Sequence, residues 1–181
     1  MIGKLIGYIP KEHPWQTRKA EKRRIEEGFF EQYCQGHGID IGCGGFMVTC
    51  GCIAWDVNQG NAQEMWGVRD GQFDWVHSCH CLEHLSDPFA GLRRWWDLIK
   101  PGGYLLLLLP DRDRYEKKEQ PPSDRIPSHK TFFVPEEPEG ETLPAGVLSV
   151  RSILATLPGV RILYIKYVEE YSIESVAVKE A

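Results

Sequence analysis

Apolar stretches of helix and strand length are separated by polar and glycine-rich breaks along the chain. Between residues 18 and 35, Ile25, Phe29, Phe30 and Tyr33 supply one apolar helical face, and Gly36 and Gly38 end the pattern. Gly38-Ile-Asp-Ile41 predicts a short buried strand running straight into the permissive turn Gly42-Cys-Gly-Gly45. Cys52–Asp56 predicts a second brief strand that ends on an acid, Phe73–Ser78 a third, and Pro88–Lys100 a helix. Pro101-Gly-Gly103 is a strong stop, and Tyr104–Leu109 is almost uniformly apolar, as in a strand covered on both faces. Ser149–Leu157 suits a short helix, and Val160–Val168 and Tyr171–Lys179 are expected to pair antiparallel across Glu169-Glu170. Strand–helix–strand alternation predicts an α/β domain, with a mostly parallel sheet and an antiparallel C-terminal edge.

One region breaks the rhythm. Asp111–Glu141 is rich in proline and charge, yet contains Tyr115, Phe132, Phe133 and Val134. An excursion of that length inside one domain needs a reason, and residues 111–144 are expected to form a lid or substrate-facing loop. An oligomer contact or a partly disordered excursion are the other readings.

The 181 residues suffice for a single domain with its own core, and no internal repeat suggests a second. No apolar run reaches membrane-spanning length and the start lacks a hydrophobic signal, so a cytoplasmic protein is expected. The formal charge of −5 gives no reason to expect nucleic-acid binding. Charge is uneven, however. Lys11, Arg18, Lys19, Lys22, Arg23 and Arg24 read as a solvated helix face or a contact for phosphate or an acidic partner, while Glu136, Glu137, Glu139 and Glu141 are acidic. The spacings Cys50-Gly-Cys52 and Cys79-His-Cys81 are too tight for a zinc knuckle. Strand alternation would point His77, Cys79, His80 and Cys81 apart, so reduced thiols and no metal are expected.

The chemistry concentrates in Ile39-Asp-Ile-Gly-Cys-Gly-Gly45. Gly42 and Gly44 permit positive φ and a close ligand approach, at the strand end where open α/β sheets bind ligands. Asp40 suits a ligand's cationic end, and Asp56 can accept from a ribose diol at the end of the next strand. A dinucleotide fingerprint needs a third glycine that Gly42-Cys-Gly-Gly-Phe-Met47 lacks, so a nicotinamide cofactor is disfavoured.

The chain resembles the class I S-adenosylmethionine-dependent methyltransferases, particularly those similar to methyltransferase type 11 domains. The likeness rests on Asp40-Ile-Gly-Cys-Gly44, on Asp56, on Phe73–Pro88 and on Leu98-Ile-Lys-Pro-Gly-Gly-Tyr-Leu105, four segments in the family's order. It implies a Rossmann-like domain that binds S-adenosylmethionine through Asp40, Gly42, Gly44, Asp56, Asn61, Ala62 and Ser78. Gly60-Asn-Ala62 resembles the family's adenine-contact segment, with Asn61 where an aspartate is common; otherwise Asn61 shapes a local turn. The chain after Asp56 is short for a helix and a strand, so the sheet is expected to be reduced there. Met65 and Trp66 are read either as closing over adenine or as core.

Methyl transfer from a sulfonium is a direct substitution that depends on alignment and desolvation. A base is needed only where the acceptor must lose a proton. His80, after the strand ending at Ser78, and His129, in the excursion, are the candidates, while His84 is read as structural or cofactor-adjacent. The acceptor is expected to be a small molecule, a glycan or a protein. The alternative is a noncatalytic cofactor-binding scaffold for another methyltransferase, and a homo-oligomer or protein partner stays open.

Overall fold

A computed structural model describes residues 16–140 and 142–180, so Lys11 and Glu141 lie outside the described residues. The strands are β1 (Gly38–Ile41), β2 (Ile53–Trp55), β3 (Phe73–Cys79), β4 (Ile99–Pro110), β5 (Phe132–Val134), β6 (Val147–Ser149), β7 (Val160–Val168) and β8 (Ser172–Lys179). The helices are α1 (Gln16–Glu26), α2 (Phe29–Tyr33), α3 (Pro88–Asp97) and α4 (Val150–Ala155). Six strands form the main sheet in the order β2-β1-β3-β4-β8-β7. The first four run parallel, and β8 and β7 add antiparallel to β4.

The uniform apolar run of β4 follows from its central place. Leu105, Leu107 and Leu109 face Trp95 and Trp96 of α3 and Ile153 and Leu154 of α4. Leu106 faces Phe29 and Tyr33 of α2 on the other side, and Leu108 meets Ala20 of α1. Each fully buried Leu is worth about 1.5–3 kcal/mol of transfer free energy, so both layers hold the strand.

Three boundaries differ from the sequence reading. The helix expected over 18–35 breaks at Gly28, whose φ of 66° ends α1 and starts α2 in a new direction. Ile25 consequently points outward at 61% exposure, whereas Phe29 and Tyr33 enter the core. At the other expected stop, α3 ends at Asp97, because the peptide NH of Gly71 caps Asp97 and that of Phe73 caps Leu98. Ile99 already pairs with Phe73, and residues 100–103 bulge out of the ladder before Tyr104 pairs with Trp75. The C-terminal hairpin turns through the three residues Glu169, Glu170 and Tyr171, the first two at positive φ.

The sheet ends at β2, and residues 56–72 return to β3 through turns, so the expected reduction is present. This edge is braced by α3. Asp87 caps the helix by accepting from the NH of Ala90 at 2.9 Å, and Trp95 donates from Nε1 to the carbonyl of Ala62 at 2.7 Å. Gln63 Oε1 accepts from the NH of Asp87 at 2.8 Å.

The proline-rich excursion is anchored at both ends. Asp111 Oδ1 accepts from the NH groups of Asp113 and Arg114, starting a wide helical turn over Arg112–Glu116. Farther on, β5 and β6 pair in parallel as a separate two-stranded sheet, with Phe132 and Phe133 fully buried. The NH groups of Lys130 and Thr131 both donate to the carbonyl of Glu83, at 2.7 and 3.2 Å. Those bonds carry His129 to the carboxyl ends of β1 and β3.

Candidate active site

At those strand ends opens a cleft of about 470 Å³, lined by residues that include Gly42, Gly44, Asp56, Asn61, Ala62 and His84. Gly42 has φ of 73° and Gly44 of 58°, so the turn follows the left-handed path expected of it. A side chain on Gly42 would come within 2.6 Å of Cys81 Sγ, so the loop and the segment after β3 touch backbone to thiol. Asp56 closes the loop from the next strand: Oδ2 accepts from the NH of Gly44 at 2.5 Å and Oδ1 from that of Val57 at 2.7 Å. Each oxygen keeps a second lone pair for a ligand hydroxyl. Asn61 Oδ1 accepts from the NH of Gln63 at 2.8 Å and so shapes its own turn on the cleft wall. Met65 is in the core and Trp66 is 80% exposed, and neither lines the cleft.

Asp40 and Ser78 lie behind this surface, fully buried. Ser78 donates to the carbonyl of Ile41 at 2.9 Å and ties β3 to β1. Asp40 Oδ2 accepts from the NH of Val48 at 2.7 Å, and its Oδ1 lies 2.6 Å from His77 Nδ1. Arg24 Nη1 lies 3.0 Å from His77 Nε2, and Arg24 Nε donates to Glu174 at 2.9 Å. Arg23 and the hydroxyl of Tyr164 also donate to Glu174, and Lys166 Nζ lies 3.8 Å from its Oε1. Burial alone would raise the Glu174 carboxyl, but Arg24 and Arg23 more than reverse this and hold it at about 2. Of the basic amino-terminal residues, Arg23 and Arg24 therefore form an internal ion cluster rather than a solvated face.

The two candidate bases, distant in sequence, converge on one carboxylate. His80 Nδ1 lies 3.7 Å and His129 Nε2 3.8 Å from Glu83 Oε1. Glu83 is fully buried, and neither carboxylate oxygen has a hydrogen-bond partner among the described residues. Burial pushes its carboxyl up to about 8. Burial also depresses His80, with His129 and His84 adding repulsion, to about 3, and lowers His84. His80 sits at φ of 49°, a left-handed conformation costly for a side chain with a Cβ. His129 is held by Glu116, whose Oε1 lies 2.5 Å from Nδ1, and the His84 ring meets that of His129 edge to face at 4.6 Å. Sequence reasoning did not single out Glu83 or Glu116, because their importance lies in neighbours from another segment.

Tyr115 forms the far side of this cluster, edge-on to His80 at 5.4 Å and stacked on His129 at 6.0 Å. Beyond it lies a second cavity of about 550 Å³, lined by Lys19, Arg114, Lys117, Arg125 and two tyrosines among others. None of these four cations forms an ion pair among the described residues, although the chain as a whole is acidic. Arg114 and Arg125 lie over the rings of Tyr167 and Tyr115, and Lys19 donates to the hydroxyl of Tyr171.

The sequence profile of the methyltransferase domain family matches residues 25–137, well over half of the chain. The chain belongs to this family. Over 61 residues the methyltransferase is 38% identical to the ubiquinone biosynthesis O-methyltransferase of Pseudomonas aeruginosa, and equally to that of Pseudomonas paraeruginosa. These matches cover 34% of this chain but only 26%, about a quarter, of the curated relatives. Solved structures extend the likeness of fold across nearly the whole chain. One, described in work on conversion of a disulfide bond into a thioacetal group in echinomycin biosynthesis, superposes with a TM-score of 0.60 at 15% identity, covering 94% of this chain and 87% of that one. A methyltransferase dependent on S-adenosylmethionine from Aquifex aeolicus gives 0.52 at 18% identity, covering 92% and 100%. Another from Methanosarcina mazei gives 0.53 at 18%, covering 84% and 97%.

The fold is shared with the S-adenosylmethionine-dependent methyltransferases solved from Aquifex aeolicus and Methanosarcina mazei. The cleft fits that cofactor by its own geometry: its volume lies in the range of small-molecule sites, bare glycine backbone admits close approach, and Asp56 offers free lone pairs. Among the described residues, no helix is long and apolar enough to cross a membrane.

Proposed function

We propose that this methyltransferase binds S-adenosylmethionine across the Gly42–Gly44 turn and transfers its methyl group to an anionic small molecule seated in the basic cavity. In this reading Asp56 accepts from the ribose hydroxyls, Asn61 and Ala62 border the adenine, and Gly42 and Gly44 flank the amino-acid end. Asp40 and Ser78 act from beneath, holding the turn in shape. The cofactor supplies a methyl on a positively charged sulfur, and the chain's residues orient it and keep water out.

The single observation that carries the reading is the convergence of His80 and His129 on Glu83, between the cleft and the basic cavity. An acceptor held by Lys19, Arg114, Lys117 and Arg125 presents its nucleophile past Tyr115 toward that group. His80 is uncharged near neutral pH and can orient the acceptor's nucleophile by a hydrogen bond. The anchored excursion then serves as a wall over the acceptor side. A noncatalytic scaffold gives no reason for histidines gathered there.

The test combines calorimetry with product detection. Purified protein should release or absorb heat on titration with S-adenosylmethionine and with S-adenosylhomocysteine. With labelled methyl donor it should modify carboxylated or phosphorylated hydroxy compounds in preference to neutral ones. Folded protein that gives no heat and no thermal shift with either nucleoside defeats the reading. Equal turnover of neutral and anionic acceptors defeats its acceptor half.

A further inference from the structure

We propose that Glu83, His84 and His129 bind a divalent transition-metal ion on the inner wall of the cleft. One ligand atom from each of the three lies within 4.8 Å of the others, and they are the only such group of His, Cys, Asp and Glu among the described residues. Two imidazoles and one carboxylate, with positions left open, form the donor set of catalytic zinc and non-haem iron sites. The sequence had pointed away from metal by way of Cys79 and Cys81, and this cluster uses neither.

Hydrogen bonds already arrange the donors. Glu116 is an acceptor for His129 Nδ1, which leaves a lone pair on Nε2 facing Glu83 Oε1 across 3.8 Å. The carbonyl of Ser128 can only accept, so His84 Nδ1, 3.3 Å away, carries its proton and Nε2 keeps a lone pair. A carboxylate behind a histidine is the usual support of a metal-binding imidazole. The lone pair of His129 Nε2 thus faces the Glu83 carboxylate directly.

The charge pattern asks for a cation. Glu83 and Glu116 are both buried, and neither pairs with a lysine or arginine among the described residues. Elsewhere the same chain pairs its buried Glu174 with Arg23 and Arg24. Both oxygens of Glu83 and one of Glu116 lack a hydrogen-bond partner among the described residues, an expensive state inside a protein. A metal ion bound by Glu83 gives that carboxylate its missing partner.

Resting on the methyl-transfer reading, the ion takes an oxygen acceptor, because its open side meets the cleft at His84. The acceptor hydroxyl loses its proton to solvent. Its oxygen then forms the new O–C bond while the C–S bond breaks, and that electron pair stays on sulfur as the neutral thioether.

The full chain is stripped with a chelator and titrated with ZnCl2 by calorimetry, and a second sample is loaded with Co2+ for absorption spectroscopy. We expect one equivalent of Zn2+, a higher melting temperature, and visible Co2+ bands without a near-ultraviolet thiolate band. Glu83→Gln and His84→Gln should each weaken Zn2+ binding by at least about 100-fold, and Glu116→Gln by about 10–100-fold. Metal-free Glu83→Gln should melt no lower than metal-free wild type, since it replaces a buried carboxyl that has no hydrogen-bond partner among the described residues; this separates ligand loss from misfolding. No uptake, wild-type affinity in both Glu83→Gln and His84→Gln, or a persisting thiolate band overturns the site. S-adenosylhomocysteine is titrated in parallel: heat there without metal uptake removes the metal site alone, whereas its absence in both forms removes the methyl-transfer reading beneath it.

Discussion

His77 donates from Nδ1 to Oδ1 of Asp40 at 2.6 Å, and Arg24 fixes that direction by occupying Nε2. A guanidinium has only donors, so the imidazole must accept on one side and donate on the other. Burial and the Arg24 charge keep His77 neutral against the pull of Asp40. The chain of contacts Glu174–Arg24–His77–Asp40–Val48 thus joins β8 and α1 to the loop that forms the cleft.

Glu174→Gln should cost about 3 kcal/mol at neutral pH, because it leaves Arg24 buried without its counter-charge. The carboxyl is held at about 2 against an ordinary value of 4.5. Its stabilisation is therefore complete above pH about 4.5 and disappears as pH falls through about 2. Urea unfolding between pH 2 and 7 should show a slope in the wild type that the variant lacks in that acidic window. Parallel curves would show that the pair contributes nothing.

Asp56→Ala should weaken S-adenosylhomocysteine binding about 10–100-fold, the equivalent of roughly 1.5–3 kcal/mol for lost hydrogen bonds to a charged acceptor. Asp56→Asn keeps one acceptor oxygen and should fall between. Both should melt close to wild type, since this carboxylate is not buried. Calorimetry decides, and affinity within a factor of two removes Asp56 from the cofactor site.

Gly42→Ala and Gly67→Ala make an informative pair. Both positions have positive φ, at 73° and 82°, but an added Cβ meets Cys81 at the first and open space at the second. Gly67→Ala should cost about 1 kcal/mol of backbone strain, and Gly42→Ala clearly more, with loss of cofactor binding. Thermal melts and nucleoside titrations on both check this, and equal melting temperatures would deny the close approach at Cys81.

Charge reversal at the second cavity probes the acceptor. Lys117→Glu combined with Arg125→Glu should raise KM for an anionic acceptor at least about 10-fold, leaving cofactor affinity unchanged. Added salt should mimic the effect in the wild type. A change in kcat alone would place these side chains outside acceptor binding.

Local chemistry made the cleft readable before the fold was known. Gly42, Gly44 and Asp56 lie close in sequence, and their spacing contains the turn and the neighbouring strand end. The C-terminal hairpin was readable too, because two apolar runs flank only a few polar residues. Ile25 misled, since one left-handed residue at Gly28 breaks the helix and leaves Ile25 off the buried face of α1 that carries Ala20 and Arg24. Glu83 was out of reach for another reason. Leu82-Glu-His84 is an ordinary turn by composition, and only the return of His129 and Glu116 from the excursion isolates its carboxylate. The same holds for Arg24, whose partners come from β3 and β8.

The excursion that carries His129 is stitched down at the Glu83 carbonyl and again by the β5–β6 pair. The two cavities therefore open separately, one beside Asp56 and one beside Arg114, with Tyr115 and the histidines as the partition. Under the proposed methyl transfer, that separation predicts a random order of binding, with either molecule entering while the other stays.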